Sequence, residues 1–169
     1  KHIQWLKKNF LNASSIKMEL TSVFDEFITK LPTNKKNELA LANTRARLRM
    51  TALYYFAQTN NSLVLGTGNK VEDFGVGFFT KYGDGGVDIS PIADLLKSEV
   101  YTLAKELNLN HDIITAPPTD GLWKNNKTDE EQIGATYAEL EWAMNFNRDK
   151  RISSKREKEV LQIYTKLNY

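Results

Sequence analysis

The chain has 169 residues, no cysteine and a formal net charge of +2 at neutral pH. This length allows one domain with a hydrophobic core, and without cysteine the chain has no disulfide, thiolate nucleophile or cysteine zinc cluster. The small net charge gives no support for nucleic-acid binding, and no apolar run in the sequence is long enough to span a membrane. The polar amino end is not typical of a signal peptide, so we expect a cytoplasmic protein.

The first part of the chain predicts helices around a short strand. Residues 1–9 are typical of a helix end, and residues 16–20 alternate apolar and polar side chains, which predicts a strand. Residues 22–30 have helical spacing, with Ser22 as the candidate cap, and a polar linker follows at 31–37.

The longest helix pattern covers residues 38–60 and carries two apolar stripes. Two stripes indicate burial on two sides. The helix is therefore either fully internal, or it faces the sheet on one side and a partner subunit on the other.

The stretch at 62–91 is the centre of the chain. Its apolar run at 63–65 is ended by Gly66, which predicts a buried parallel strand followed by a long loop rich in glycine and charged residues. Such loops hold ligands in open α/β sheets. The pattern after this stretch predicts a helix at 97–107, a short strand at 113–114 and a loop at 115–127. A further helix is predicted to begin at Thr128, and its inward-facing residues are Ile133, Tyr137, Leu140 and Met144. The last predicted helix is capped by Ser153 or Ser154.

Four motifs stand in a fixed order in this sequence: NTRARLRM, GTGNKVED, GFFTKYGDGGVDISPIADLLKSEVY and PPTDGLW. Together they resemble the ammonia-dependent NAD synthetases, and the similarity extends nearly from end to end. The resemblance implies an α/β fold of the adenine-nucleotide α-hydrolase type. In this fold, a doubly wound parallel sheet carries helices on both faces. The resemblance further implies that residues 1–169 form a single but incomplete domain.

The resemblance also implies a ligase reaction. Enzymes of this family use ATP and Mg2+ to adenylate the nicotinate carboxylate of deamido-NAD, and ammonia then displaces AMP to give NAD. Such a site concentrates negative charge, so it needs cations and a metal. We therefore expect a homodimer that binds deamido-NAD, ATP and ammonia, with no nucleic-acid or membrane partner.

The ATP side of the predicted site follows from matching positions in the family motifs. Thr67, Lys97 and Thr119 match ATP contacts, and Lys97 is the candidate for stabilising the phosphate under attack. Glu72 matches the magnesium-binding carboxylate. Asp73 is the alternative, because counting back from the later motif selects it instead.

The deamido-NAD side follows in the same way. Arg47, Lys81 and Asp88 match deamido-NAD contacts, and Asp88 either binds a ribose hydroxyl or orients ammonia and takes its proton. Arg47 points almost opposite to Arg45 and Arg49 on a helix, and we expect the last two to be solvent-exposed residues.

Two family segments are absent from this sequence: the pyrophosphate loop Ser-Gly-Gly-x-Asp-Ser and the carboxyl-terminal His-Lys segment. We expect the chain to be a fragment of a longer protein. Three functions remain open: the ammonia-dependent ligase, a glutamine-dependent NAD synthetase or related ATP pyrophosphatase, and a non-catalytic nucleotide-binding dimer module.

Overall fold

The computed structural model describes residues 2–32, 37–123, 127–146 and 151–167. The predicted linker at 31–37 and loop at 115–127 lie partly outside these ranges. The described helices are α1 (His2–Asn9), α2 (Thr21–Thr29), α3 (Glu38–Thr59), α4 (Lys97–Glu106), α5 (His111–Ile114), α6 (Asp129–Ile133), α7 (Tyr137–Met144) and α8 (Lys155–Leu167), with a π-helical segment at Val71–Val76 between α3 and α4. None of the described helices is both long and apolar enough to cross a bilayer.

The β-structure of the described residues is one isolated parallel bridge between Leu65 and Ile89. The Gly66 amide donates to the Ile89 carbonyl at 2.7 Å, and the Asp88 amide donates to the Val64 carbonyl at 3.0 Å. The predicted strand at 63–65 is therefore present only as this bridge. The prediction that the strand is buried holds for Val64 alone, since Leu63 and Leu65 are 66% and 59% exposed.

Two other strand predictions are wrong. Residues 16–20 form no ladder, because no β-bridge among the described residues includes them, and the alternate side chains Ile16 and Met18 are exposed. Residues 113–114 belong to α5. That helix starts where the Asn110 side chain accepts a hydrogen bond from the Asp112 amide at 2.9 Å.

The π-helical segment was not predicted, and it lies at the centre of the main hydrophobic core. The Asn69 side chain, which is 1% exposed, starts the segment by accepting hydrogen bonds from the amides of Val71 and Glu72. Gly77, with a φ of 61°, ends it in a conformation that glycine favours. The segment packs against α7 and α8 through a buried cluster comprising Val71, Val76, Ile133, Ala135, Tyr137, Leu140, Ala143 and Val160.

Helix α3 confirms the longest predicted helix to within one residue. Asn37 caps it by accepting a hydrogen bond from the Ala40 amide at 3.0 Å. Its Ala42, Ala46 and Met50 are buried, whereas Tyr55 on the second predicted stripe is 66% exposed. Within a single chain, the helix is therefore buried on one side rather than two.

The predicted helix opening at Thr128 is divided into α6 and α7. Gly134 ends α6 with a φ of 87°, and Thr136 begins α7. Both helices have a capping box, with Thr128 and Thr136 each accepting a hydrogen bond from the amide three residues later.

The other two predicted caps differ in outcome. The Ser154 hydroxyl accepts a hydrogen bond from the Glu157 amide at 3.1 Å before α8, as predicted. Helix α2 instead begins at Thr21 with Leu20 as its cap residue, so the expected role of Ser22 is wrong.

Candidate active site

A cleft of about 350 Å³ lies beside α3. One wall is formed by side chains of this helix, including Ala46, Met50 and Leu53. The charged and polar lining comes from α3, the loops, the π-helical segment and the first residue of α6, and it comprises Arg49, Thr67, Glu72, Asp84, Thr119, Asp120 and Asp129. Four carboxylates and one guanidinium thus face one concave space, and this excess of negative charge favours a cationic ligand or a ligand that arrives with cations.

Three side chains from three elements meet at one edge of this cleft. Lys97, the first residue of α4, places its Nζ 2.7 Å from Oε1 of Glu72, and the two side chains are 16% and 14% exposed. The Tyr137 hydroxyl, from the first residue of α7, donates to the same Oε1 at 2.6 Å. The Lys97 ammonium also lies 4.5 Å from the centre of the Tyr137 ring. Burial and the neighbouring Glu72 raise the pKa of Tyr137 strongly, so it stays a protonated donor.

Asp129 lies on the other side of the Tyr137 hydroxyl. Its Oδ2 is 3.3 Å from that hydroxyl, and its Oδ1 has no hydrogen-bond partner among the described residues. Burial raises the pKa of Asp129, and the nearby Glu72 raises it further. The start of α6 is tied to the preceding loop, because the Asp129 amide donates to the Pro118 carbonyl at 3.0 Å.

The two candidate metal-binding carboxylates take different positions. Glu72 lines the cleft, whereas Asp73 is directed towards Gly68, where an added Cβ would collide with its carboxylate. Burial, Glu72 and Asp84 raise the pKa of Asp73. The geometry thus places Glu72, and not Asp73, in the group of cleft side chains.

The two predicted threonine contacts line the cleft from different loops. Thr67 follows the bridge residue Leu65. Thr119 donates through its hydroxyl to the Lys127 carbonyl at 3.1 Å and accepts from the Gly121 amide at 3.3 Å.

Arg45 and Arg49 on α3 hold the loop that contains Thr119 against this helix. This loop, the Thr119 loop, is the predicted loop at 115–127. Arg49 donates from Nη1 to the Asp120 carbonyl at 3.0 Å and from Nη2 to the Gly121 carbonyl at 2.9 Å. Arg45 donates to the Leu122 carbonyl at 3.2 Å and lies over the Phe24 ring. The expected solvent exposure is confirmed for Arg49 and wrong for the half-buried Arg45, and both arginines also hold this loop through hydrogen bonds.

The three predicted deamido-NAD residues lie along a neighbouring face of α3. Arg47 donates from Nε to the Lys81 carbonyl at 3.0 Å. Tyr54, two helical turns after Arg47, donates from its hydroxyl to Asp88 Oδ1 at 3.1 Å, and the Val64 amide donates to Asp88 Oδ2 at 2.7 Å. The predicted residues therefore form two groups. Thr67, Glu72 and Thr119 line the cleft, with Lys97 outside the lining and bound to Glu72, and the other three residues lie on this face.

Comparison with known proteins supplies the family. The sequence profile of NAD synthase matches residues 3–167. The chain belongs to the NAD synthase family.

Comparison with individual relatives shows what share of their length the chain covers. The NH(3)-dependent NAD(+) synthetase of Mycoplasma genitalium is 44% identical over 157 residues, which are 92% of this chain and 62% of that protein. The solved structure of NMN synthetase from Francisella tularensis has a TM-score of 0.80 at 31% identity, covering 97% of this chain and 66% of that one. The NH3-dependent NAD synthetase from Campylobacter jejuni has a TM-score of 0.62 at 30% identity, covering 89% and 59%. The fold of the chain is thus that of NAD synthetases, and the chain spans about three fifths of the length of the curated relative.

The cleft of this NAD synthase family member fits a divalent cation in part. No group of three or more His, Cys, Asp or Glu side chains among the described residues is placed to hold a metal. Magnesium in nucleotide sites, however, is bound through one or two carboxylates and completed by phosphate oxygens and water. Both donors that reach Glu72 bind Oε1, and Asp129 presents an oxygen without a partner. The donor set therefore suits a metal that arrives with phosphates.

The sequence did not reveal the roles of Tyr137 and Asp129. An inward-facing tyrosine on a helix indicates a core residue, and nothing in the pattern showed that its hydroxyl reaches Glu72. Asp129 is an acidic residue in the first turn of a helix, where acidic residues are common for electrostatic reasons. The long-range contact between α7 and the π-helical segment makes both residues part of the site.

Proposed function

We propose that the whole protein is an ammonia-dependent NAD synthetase. It adenylates the nicotinate carboxylate of deamido-NAD with ATP, releasing pyrophosphate, and ammonia then displaces AMP to give NAD. The observation that carries this proposal is the cleft lined by Glu72, Thr67 and Thr119, with Lys97 bound to Glu72 beside it. These are the four positions that the family motifs associate with ATP and its metal.

Lys97 acts on the phosphate under attack. Its ammonium lies at the first turn of α4, where the helix amino terminus also favours anions. As the nicotinate carboxylate attacks the α-phosphate, the phosphate oxygens gain negative charge, and a fixed cation stabilises that charge. Glu72 holds Lys97 in place before ATP binds.

The cofactor requirement follows from the same charges. Magnesium, when bound, neutralises the phosphate oxygens of ATP and the departing pyrophosphate. Glu72 is the carboxylate that holds it, because this side chain lines the cleft beside Lys97. Thr67 and Thr119 contribute hydroxyl groups to the walls that position ATP.

The deamido-NAD half of the site lies on the α3 face that carries Arg47. Lys81 supplies a cation for a phosphate or for the nicotinate carboxylate, and Arg47 braces the Lys81 backbone. Asp88 already accepts hydrogen bonds from Tyr54 and Val64, but a carboxylate has about four acceptor positions, so a ribose hydroxyl can still bind. Replacing Asp88 with asparagine separates its two candidate roles: a ribose contact raises KM for deamido-NAD, whereas a proton acceptor for ammonia lowers kcat.

Two further features belong to this proposal. The parallel bridge between Leu65 and Ile89 supports a doubly wound parallel sheet with helices on both faces in the whole protein. The exposed stripe of α3 supports a homodimer with the deamido-NAD site beside its interface.

The direct test is a product assay on the whole protein with deamido-NAD, ATP, Mg2+ and an ammonium salt. We expect NAD, AMP and pyrophosphate in equal amounts. Formation of ADP and phosphate would contradict the mechanism. The same assay with glutamine in place of ammonium tests the glutamine-dependent alternative.

A mononucleotide substrate is the second candidate. The TM-score of 0.80 to an NMN synthetase, over 97% of the chain, favours it. The assay should therefore compare deamido-NAD with nicotinate mononucleotide at equal concentration. Higher kcat/KM for deamido-NAD supports the NAD synthetase assignment, and the reverse order supports the mononucleotide.

A further inference from the structure

The Tyr137 hydroxyl faces two carboxylates but has only one proton to donate. Glu72 Oε1 is 2.6 Å away and Asp129 Oδ2 is 3.3 Å away. Hydrogen bonds from a hydroxyl to a carboxylate are strongest at ~2.5–2.7 Å, so the proton goes to Glu72. Asp129 is left with a long contact at Oδ2 and, in the described part of the chain, no partner at Oδ1.

A carboxylate in this position is costly for the folded protein. Asp129 is only 7% exposed, the one hydrogen bond to its side chain from the described residues is the 3.3 Å contact from Tyr137, and a buried charge that is so weakly paired loses its hydration without full replacement. The charge of Lys97 also acts on Asp129, but Lys97 is bound to Glu72 at 2.7 Å, and Arg49 in the cleft lining is bound to the Asp120 and Gly121 carbonyls. A buried polar atom without a partner at the wall of a cleft indicates that a ligand supplies the partner.

The other cleft carboxylates differ from Asp129 in this respect. Asp84 accepts a hydrogen bond from the Thr80 amide at 3.0 Å. Asp120 accepts one from the Leu122 amide at 2.9 Å and one from Gln132 at 3.2 Å. The side chains of these two residues stabilise the loops in which they lie. Within the described ranges, the Asp129 side chain stabilises no loop, and its one hydrogen bond is the long contact with Tyr137.

We propose that Asp129 is a second carboxylate ligand, beside Glu72, for a divalent cation bound in the cleft. The proposal rests on the proposed function, in which Glu72 faces magnesium. Magnesium sites that also take phosphate oxygens use one or two carboxylates, and Glu72 and Asp129 are the two that converge on one hydroxyl. Tyr137 then has a positioning role, since it holds the two carboxylates on either side of its oxygen.

The location of Asp129 gives the cation a structural consequence. The Asp129 amide is bound to the Pro118 carbonyl, one residue before Thr119. A cation shared by Glu72 and Asp129 therefore links the π-helical segment to the start of α6 and to the Thr119 loop.

The test is direct measurement of metal binding. The whole protein is titrated with Mn2+ in the presence of a non-hydrolysable ATP analogue, and free Mn2+ is measured by electron paramagnetic resonance. Asp129→Asn has the same shape and no charge. We expect it to weaken Mn2+ binding by at least about 10-fold to 100-fold, because that is the loss seen when only a hydrogen-bond partner of a metal ligand is removed, and loss of a direct ligand should be no smaller. Without metal, its Tm should equal or exceed that of the wild type, because a costly buried charge has been removed.

Two control variants separate a ligand from a general electrostatic effect. Asp84→Asn removes one charge from the same cleft and keeps the Oδ1 acceptor for Thr80, so Mn2+ binding should change by less than about threefold. Asp94→Asn removes an exposed charge that does not line the cleft and should change nothing.

Several results would overturn the proposal. The first two are an Asp129→Asn variant with unchanged Mn2+ affinity and an Asp84→Asn variant that loses as much Mn2+ affinity as Asp129→Asn. The other two are a wild type that binds no Mn2+ and a wild type that is stabilised by ammonium ions but not by Mn2+. The product assay is read separately. If the wild type makes NAD and Asp129→Asn keeps its Mn2+ affinity, only the ligand assignment fails. If the wild type makes no NAD and Asp129→Asn loses Mn2+ affinity, the ligand assignment stands and the proposed function fails.

Discussion

Lys97 and Glu72 form an ion pair of 2.7 Å between the start of α4 and the π-helical segment, in a place where both side chains are largely shielded from water. Such a pair is held in one geometry, because Tyr137 donates to the same Glu72 oxygen. The cation therefore occupies a fixed position before any ligand arrives, which is the condition for electrostatic stabilisation of a transition state.

Lys97→Ala should slow adenylation more than it weakens ATP binding. Removal of one fixed electrostatic group costs roughly 10²–10³ in rate, and an interaction that strengthens in the transition state appears in turnover. Lys97→Arg should restore little, because a planar guanidinium does not replace a compact ammonium between Glu72 and a phosphate. The measurement is single-turnover pyrophosphate release.

Lys105→Ala is the matched control, since Lys105 is an exposed lysine in the last turn of the same helix. It should leave pyrophosphate release unchanged. Equal rates for the Lys97 and Lys105 variants would show that Lys97 has no role in the reaction.

Several helices and caps were predictable from the sequence because their signals are local, although the Ser22 cap and helix α5 were not. The bounds of α3 and the capping box at Thr128 depend on residues within one or two turns of each other. The π-helical segment was not predictable, since Asn69 starts it from a polar loop and its buried face is defined by α7 and α8, which lie far along the chain.

The site was predictable only in part for the same reason. The family motifs identified Glu72 and Lys97, and the structure brings them into contact. Tyr137 and Asp129 lie outside those motifs and join the site through packing between distant elements. The predicted strands depend on neighbours for their hydrogen bonds, so alternation of side chains alone could not decide whether residues 16–20 would pair.

Arg49→Ala should raise KM for ATP by about tenfold and leave kcat nearly unchanged. The exposed guanidinium binds the carbonyls of Asp120 and Gly121 together, and hydrogen bonds in contact with solvent contribute about 0.5–1.5 kcal/mol each, which is consistent with a change of about tenfold, or about 1.4 kcal/mol. Loss of both bonds releases the loop that presents Thr119 to the cleft. Arg49→Lys should restore little, because one ammonium cannot reproduce the two-pronged contact.

Steady-state kinetics with ATP as the varied substrate measures this effect. Arg151→Ala, at an exposed position before α8, is the control and should not change KM. If kcat falls while KM for ATP stays constant, Arg49 acts on the chemical step and not through the loop.

Helix α3 should lie at a two-fold interface. Its second stripe includes Tyr55, which is 66% exposed, and the half-buried Leu48, while Ala42, Ala46 and Met50 on the opposite stripe are buried inside the chain. Tyr55→Glu and Leu48→Glu should both give monomers with weaker deamido-NAD binding, because an isologous interface places each change twice in the same contact.

Sedimentation velocity measures the oligomeric state, and titration with deamido-NAD measures binding. Leu103→Glu on α4, where the side chain is 40% exposed, should leave the dimer intact. A wild type that sediments as a monomer would contradict the prediction.

Arg156 should stabilise the protein at neutral pH and not at pH 2. Its Nε and Nη2 donate to the two carboxylate oxygens of Glu139 at 2.6 and 2.7 Å, and Nη2 also donates to the Gly134 carbonyl at 3.2 Å. This contact lowers the pKa of Glu139 from 4.5 to about 2. Because the folded pKa lies below the unfolded one, the stabilisation is complete above pH 4.5 and is lost as the pH falls from 4.5 to about 2.

Arg156→Met keeps the apolar stem and removes the charge. At pH 7 we expect a slightly lower free energy of unfolding, since the pair is partly exposed to solvent and its interaction is screened. The difference between wild type and variant should shrink through the acid range and vanish near pH 2. Urea unfolding at several pH values measures this difference.

Glu26→Gln, in the exposed pair between Glu26 and Lys30, should show no such pH-dependent difference. A deficit in Arg156→Met that is the same at pH 7 and pH 2 would mean that the arginine acts through its hydrogen bond to Gly134 and its packing, and not through the charge of Glu139.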